Sequence, residues 1–380
     1  MKVIILGGGL IGGPMAIDLA KDSDIDVTVA DINESILKKL EAVSQIKNIK
    51  QDLSDSSAIK SLIADFDMIV SAVPGFMGFK TLKAIIESDK NVVDIAFCPE
   101  DVLELDELAK EHNVTAIVDC GVAPGMSNML IGYADHILDK TENVMIYVGG
   151  LPEIREWPYE YKAVFSPVDV IEEYVRPAFY VENGHVIKRP ALSDPEYLDF
   201  PGVGTLEAFN TDGLRSLIKT LDIPNMKEKT MRYPGHIEKM ILLRETGFFS
   251  EEAIDVNGKM IRPLDLTAKL LFPKWELKEG EVDITVMKII VDGVQNGKKI
   301  NYTWDLIDRY DPETKIHSMA RTTGYTATVA LRMMKQGLFD QKGIIPPELI
   351  GKKPECVKYM LEGLKDRGII YKETILELEK

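Results

Sequence analysis

Three glycines, a run of strand-end carboxylates and one arginine set the chemical possibilities of this 380-residue chain. Gly7, Gly9 and Gly12 stand in the GxGxxG register inside "VIILGGGLIGG", directly after an apolar run and at the opening of a helical pattern. Gly7 permits a tight turn, Gly9 lets backbone approach a pyrophosphate, and Gly12 allows close helix packing. Leu10 and Ile11 fill the turn, whose amides face the anion. Asp31 follows Gly12 by nineteen residues, the place for a carboxylate that accepts both adenosine ribose hydroxyls. The residues after it, Ile32, Asn33 and Glu34, bring no cation for a 2′-phosphate. NAD is therefore expected over NADP, with Lys38 and Lys39 the cations nearest in sequence on the following helix.

Further candidates lie where other apolar runs end. "SAVPGFMGF" places Val73 and Pro74 beside the cofactor, and Asp52 in "QDLSD" is either an adenine neighbour or a turn initiator. "VVDIAF" carries Asp94, and "VDCGVAPGMSN" carries Asp119, Cys120 and Asn128. Carboxylates at that edge suit proton transfer or pairing with an ammonium, and a cysteine there suits either chemistry or packing. Downstream, Arg215 in "TDGLRSL" has the fork that grips a carboxylate, with Asp212 as an ammonium partner or a helix cap. His236 after Pro234-Gly235 is a candidate proton relay, and Arg244 a second anion contact.

These residues need a scaffold, and the first third of the chain supplies the pattern of one. Six strand-length runs (2–6, 27–31, 46–50, 67–73, 91–95 and 114–119) alternate with helical periodicity. That is the signature of a doubly wound parallel α/β sheet of Rossmann type, assigned to residues 1–122. From 123 to 316 the alternation stops. Apolar residues alternate on both sides of Asn296-Gly297, predicting an antiparallel hairpin within a second, α+β catalytic domain. Residues 317–380 read as C-terminal helices that return to the first domain.

Composition narrows the partners. With 61 acidic and 45 basic residues the net charge is −16, which disfavours nucleic acid and anionic membrane and leaves a small molecule as the expected ligand. No signal-peptide pattern or 18-residue apolar run occurs, so the expected compartment is the cytoplasm. Three widely spaced cysteines predict free thiols, and five histidines without metal-ligand spacing predict no metal site.

"AVPGFMGF", "VVDIAF", "VDCGVAPGMSN", "YVGGLP", "SPVDVIEEYVRPA", "FNTDGLRSL", "MRYPGHIEKM" and "MARTTGYTA" occur in an order that resembles the saccharopine dehydrogenase-like family, most closely its L-lysine 6-dehydrogenase branch. The resemblance implies NAD-dependent oxidation of the ε-amine of L-lysine to 2-aminoadipate 6-semialdehyde. It also implies a homodimer or higher homo-oligomer joined through the second domain. Saccharopine reductases of that family tend to carry an asparagine-arginine-aspartate run where this chain has "DGLRS", a departure that favours the lysine branch. The alternatives are a saccharopine or carboxynorspermidine-type oxidoreductase and, outside enzymes, an NAD(H)-sensing binder.

Overall fold

A computed structural model describes residues 1–42, 46–164, 166–278 and 280–378. The chain divides into two compact units, one of Met1–Asp139 with Ala320–Tyr371 and one of Lys140–Met319 with the chain from Lys372 onward.

The first unit is built on β1 (Lys2–Leu6), β2 (Asp26–Asp31), β3 (Lys47–Lys50), β4 (Met68–Ser71), β5 (Asn91–Asp94) and β6 (Thr115–Ile117). All pair in parallel in the order β6-β5-β4-β1-β2-β3, and the short strand Gly343–Ile345 adds to β6. β1 and β4 are almost wholly buried because helices cover both faces, which explains their unbroken apolar runs. This doubly wound order reverses direction between β1 and β4, and ligands of such sheets bind at that carboxyl edge.

The first compact unit runs past the boundary expected at 122/123. Helix Met126–Ile137 belongs to the first unit, because Gly132 meets helix Pro347–Gly351 so closely that a Cβ on it would lie 2.1 Å from the Glu348 carbonyl oxygen. The C-terminal segment expected to be helical holds helices Ser318–Lys335, Pro347–Gly351 and Pro354–Lys365, but it also contributes Gly343–Ile345 to the first sheet and Tyr371–Glu377 to the second. The first of these strands has three residues, too few to show a period.

In the second unit a mixed sheet is centred on Lys140–Pro152, which pairs in parallel with Asn225–Arg232 and antiparallel with Asp283–Gln295. The predicted hairpin is present: Asp283–Gln295 and Lys298–Arg309 are joined by Asn296 (φ 53°) and Gly297 (φ 75°). Two consecutive positive φ values make the turn that matches strand twist. Asp283 is fully buried and accepts the Ser318 and Met319 amides at 2.7 and 3.0 Å, satisfying donors at the start of helix Ser318–Lys335. No helix among the described residues is long and apolar enough to cross a membrane.

Candidate active site

At the carboxyl edge of the first sheet, the glycine turn has little freedom except where a ligand would lie. Gly7 adopts φ +100°, and a Cβ there would fall 2.6 Å from the Ala72 carbonyl oxygen. A Cβ on Gly12 would come within 1.9 Å of the Gly7 oxygen, whereas Gly9 faces open space. Leu10 is exposed and Ile11 partly so, leaving the backbone before helix Gly12–Leu19 accessible. Asp31 reinforces the turn: its carboxylate accepts the Gly8 amide at 2.7 Å and the Asn33 amide at 2.7 Å. Two carboxylate oxygens offer about four acceptor sites, so capacity remains for ribose hydroxyls. An open glycine, a helix N-terminus and a carboxylate at the end of β2 fit a dinucleotide. Val73 is buried and Pro74 exposed, at the entry to helix Gly75–Ile86. Asp52 is exposed and accepts the Ser54 amide at 2.9 Å, so the local turn uses its carboxylate.

Asp94 ends β5 and is completely buried. One of its oxygens accepts the Ala96 amide at 3.3 Å; the other has no hydrogen-bond partner, nor does the buried Ser71 hydroxyl at the end of β4. Burial pushes this carboxyl up to about 7, the Ala96 amide opposes the rise, and the charge of Asp119 adds to it. Asp119 follows β6 in a left-handed conformation (φ 48°), which aspartate tolerates better than most residues. It is 4% exposed against 0% for Asp94, so it is the more accessible member of the pair. The Cys120 amide donates to the Asp94 carbonyl at 3.0 Å, joining the two strand ends. An acid with its affinity near neutrality, coupled to a second carboxylate, can accept a proton at neutral pH.

Cys120 does not face the edge as expected. It is fully buried, and burial with the charges of Asp94 and Asp119 pushes its thiol far up, which suppresses the thiolate a nucleophile needs. Asn128 is also buried rather than presented to a ligand. Its side-chain oxygen accepts from the Ser127 hydroxyl at 2.9 Å and the Gly125 amide at 3.4 Å, and its amide donates to Glu348 at 3.3 Å.

Arg215 of the second unit has φ +54° in the loop between strand Gly204–Asn210 and the short helix Leu217–Thr220, and is partly buried. Asp212 does not cap that helix, which starts five residues later; it lies 4.0 Å from Arg176, itself 3.5 Å from Glu172. The loop rests on a buried acid: a Cβ on Gly213 would come within 2.4 Å of a Glu228 carboxylate oxygen, and Thr211 donates to that carboxyl at 2.6 Å. Burial pushes Glu228 up to about 8.

His236 is not placed to relay protons. Its ring bonds the Tyr159 carbonyl oxygen at 2.9 Å through Nδ1 and the Tyr174 hydroxyl at 2.9 Å through Nε2. Burial, with the nearby Arg232 charge, holds its pKa down to about 3, so it is a neutral packing group. Arg244 is likewise committed elsewhere, donating to the Ala191 carbonyl at 2.7 Å and the Tyr174 carbonyl at 3.3 Å, with Glu245 at 2.9 Å. Arg232, which sequence reasoning missed, is buried, pairs with the part-buried Glu173 at 2.7 Å and lies 4.6 Å from the Tyr161 ring centroid. "MRYPGH" held the signal, since a charge at the end of a strand between a methionine and a tyrosine needs a partner once buried.

The sheet order, the glycine turn and Asp31 define a dinucleotide-binding protein. Family comparison narrows that class. Residues 3–117 match the model described as "Saccharopine dehydrogenase NADP binding domain" and residues 121–369 match "Saccharopine dehydrogenase C-terminal domain". The chain belongs to the saccharopine dehydrogenase family. Among its relatives are the mitochondrial alpha-aminoadipic semialdehyde synthase of Bos taurus, 24% identical over 97% of this chain and 47% of that protein, and the saccharopine dehydrogenase [NADP(+), L-glutamate-forming] of Pyricularia oryzae, 26% identical over 79% of this chain and 69% of that one. The chain thus spans about half the length of the synthases it matches. The apo saccharopine dehydrogenase (L-Glu forming) of Saccharomyces cerevisiae shares the fold, with a TM-score of 0.81 at 20% identity over 99% of both chains.

Proposed function

We propose that the protein is an oxidoreductase that oxidises the ε-amine of L-lysine, with NAD as the hydride acceptor, to 2-aminoadipate 6-semialdehyde and ammonia. The observation that carries the chemistry is the Asp94–Asp119 pair at the carboxyl edge, with Asp94 raised to about 7. An alkylammonium has a pKa of about 10.4 and must lose a proton before its carbon can release hydride. A carboxylate of raised basicity takes that proton more readily than an ordinary one, and its conjugate acid returns one when water replaces nitrogen. The bound cofactor supplies the hydride acceptor. For the chain's own part, the glycine turn and helix N-terminus hold the pyrophosphate, Asp31 holds the adenosine ribose, and Arg215 holds the substrate carboxylate.

NAD is favoured by Asp31, because its carboxylate would repel a 2′-phosphate. The second reading, oxidation of saccharopine with NADP, is favoured by the names of the relatives and of the matched nucleotide-binding model. Reduced-cofactor formation with L-lysine, saccharopine and carboxynorspermidine, each with NAD and NADP, separates the readings. Lysine with NAD should give the highest kcat/KM; a preference for saccharopine would replace the lysine reading, and tight NAD binding without turnover of any amine would leave a sensor.

Arg215→Ala should raise KM for the amino acid roughly 10- to 150-fold, the equivalent of about 1.5–3 kcal/mol for a charge-assisted contact, and leave NAD affinity alone. Unchanged KM would remove Arg215 from the substrate site. We further propose a homodimer or higher homo-oligomer, for which light scattering should return at least twice the 42.5 kDa chain mass.

A further inference from the structure

Asp31 is paired across the parallel β2–β3 ladder with Lys50. Side chains alternate between faces along a strand, so residues paired in a parallel ladder project to the same face. Lys50 therefore rises beside the carboxylate assigned to the adenosine ribose, within the region that a 2′-phosphate would occupy. The sequence hides this cation, because it lies on β3 rather than among the residues that follow Asp31. Its ammonium is already engaged, with Nζ 2.5 Å from the Glu34 Oε1. Glu34 opens helix Glu34–Glu41 next to the Asn33 cap, a position that favours a negative charge. The Lys50 hydrogen bond also holds the Glu34 carboxyl below its ordinary range.

We propose that Glu34 is a cofactor-selectivity residue that acts by occupying Lys50. Exclusion of a 2′-phosphate then has two sources: repulsion by Asp31, and an adjacent lysine whose charge Glu34 has neutralised. Both side chains are more than half exposed, at 59% and 58%, so the pair is free to re-form with a different anion once Glu34 is changed. The inference rests on the NAD reading above.

The test is equilibrium binding, by calorimetry, of AMP and adenosine 2′,5′-bisphosphate to the full chain, alongside kcat/KM for NAD and NADP. The wild type should bind AMP the tighter of the two. Glu34→Gln should tighten the bisphosphate about tenfold, with AMP changed less than twofold, and the gain should shrink with added salt as expected for an exposed charge pair. In the Glu34→Gln/Lys50→Met double variant the gain should vanish. A gain that survives Lys50→Met, or no gain in Glu34→Gln, overturns the proposal. A wild type that already prefers the bisphosphate and NADP overturns the NAD reading itself, a separate outcome.

Discussion

Asp94→Asn should lower kcat with the amine substrate by a factor of about 10²–10⁴, the usual contribution of a positioned general base. In the wild type, kcat/KM should rise with pH as Asp94 ionises around its raised value of about 7, and that limb should be missing from the variant. Stability should move the other way. A carboxyl whose folded pKa is raised binds its proton more tightly in the folded protein, so stability falls as pH climbs from the unfolded value near 4 towards 7. The shift of about 3 units corresponds to a cost of about 4 kcal/mol above that window, at about 1.4 kcal/mol per unit. Asparagine has nearly the shape of the neutral acid and carries no charge, so the variant should be as stable as the wild type below about pH 4 and more stable at pH 8. Turnover within threefold of wild type, with the limb intact, would move the base assignment to Asp119.

The first unit was legible because its signals are local. The glycine register, the unbroken apolar strands and Asp31 each follow from neighbours in sequence, and the order of six strands follows from right-handed crossovers. Asn296-Gly297 was equally direct, since few other pairs accept two positive φ values. The surroundings of the other candidate side chains depend on non-local burial. Nothing adjacent to Cys120 or Asn128 reports that the strand end is covered, or that Glu348 waits 220 residues away. His236 and Arg244 looked chemical by type, but their partners, Tyr159, Tyr174 and Ala191, come from segments with no recognisable spacing. The first unit's extension past residue 122 has the same origin, because the contact of Gly132 with Glu348 is a long-range packing event.

Asp18→Ala should destabilise the first unit by about 3–5 kcal/mol, the usual result of removing one member of a buried ion network. Asp18 sits in helix Gly12–Leu19, directly after the glycine turn, and is 1% exposed. Its carboxylate accepts from the Thr328 hydroxyl and from Arg332, each at 2.6 Å, and from Arg367 Nε at 2.9 and 3.0 Å. Arg332 keeps Asp22 at 2.7 Å when Asp18 is lost, but Arg367 keeps only the Gly363 carbonyl oxygen at 2.8 Å among these bonds. Two guanidiniums more than 300 residues away thus anchor the C-terminal segment to the helix that follows the cofactor turn. Burial acts to raise the Asp18 carboxyl, yet Arg332, Arg367 and the hydrogen bonds outweigh it and leave it below its ordinary value. A depressed pKa of this kind contributes stability that is present above the unfolded value of about 4 and is lost as pH falls through the folded one. Urea unfolding at pH 7 should therefore show the full loss in Asp18→Ala, and the gap from wild type should narrow as pH drops below about 4. Because the anchor lies behind the glycine turn, NAD affinity should also weaken in the variant at urea concentrations well below the unfolding midpoint. Equal midpoints at pH 7 would mean that Arg332 and Asp22 hold the C-terminal segment without Asp18.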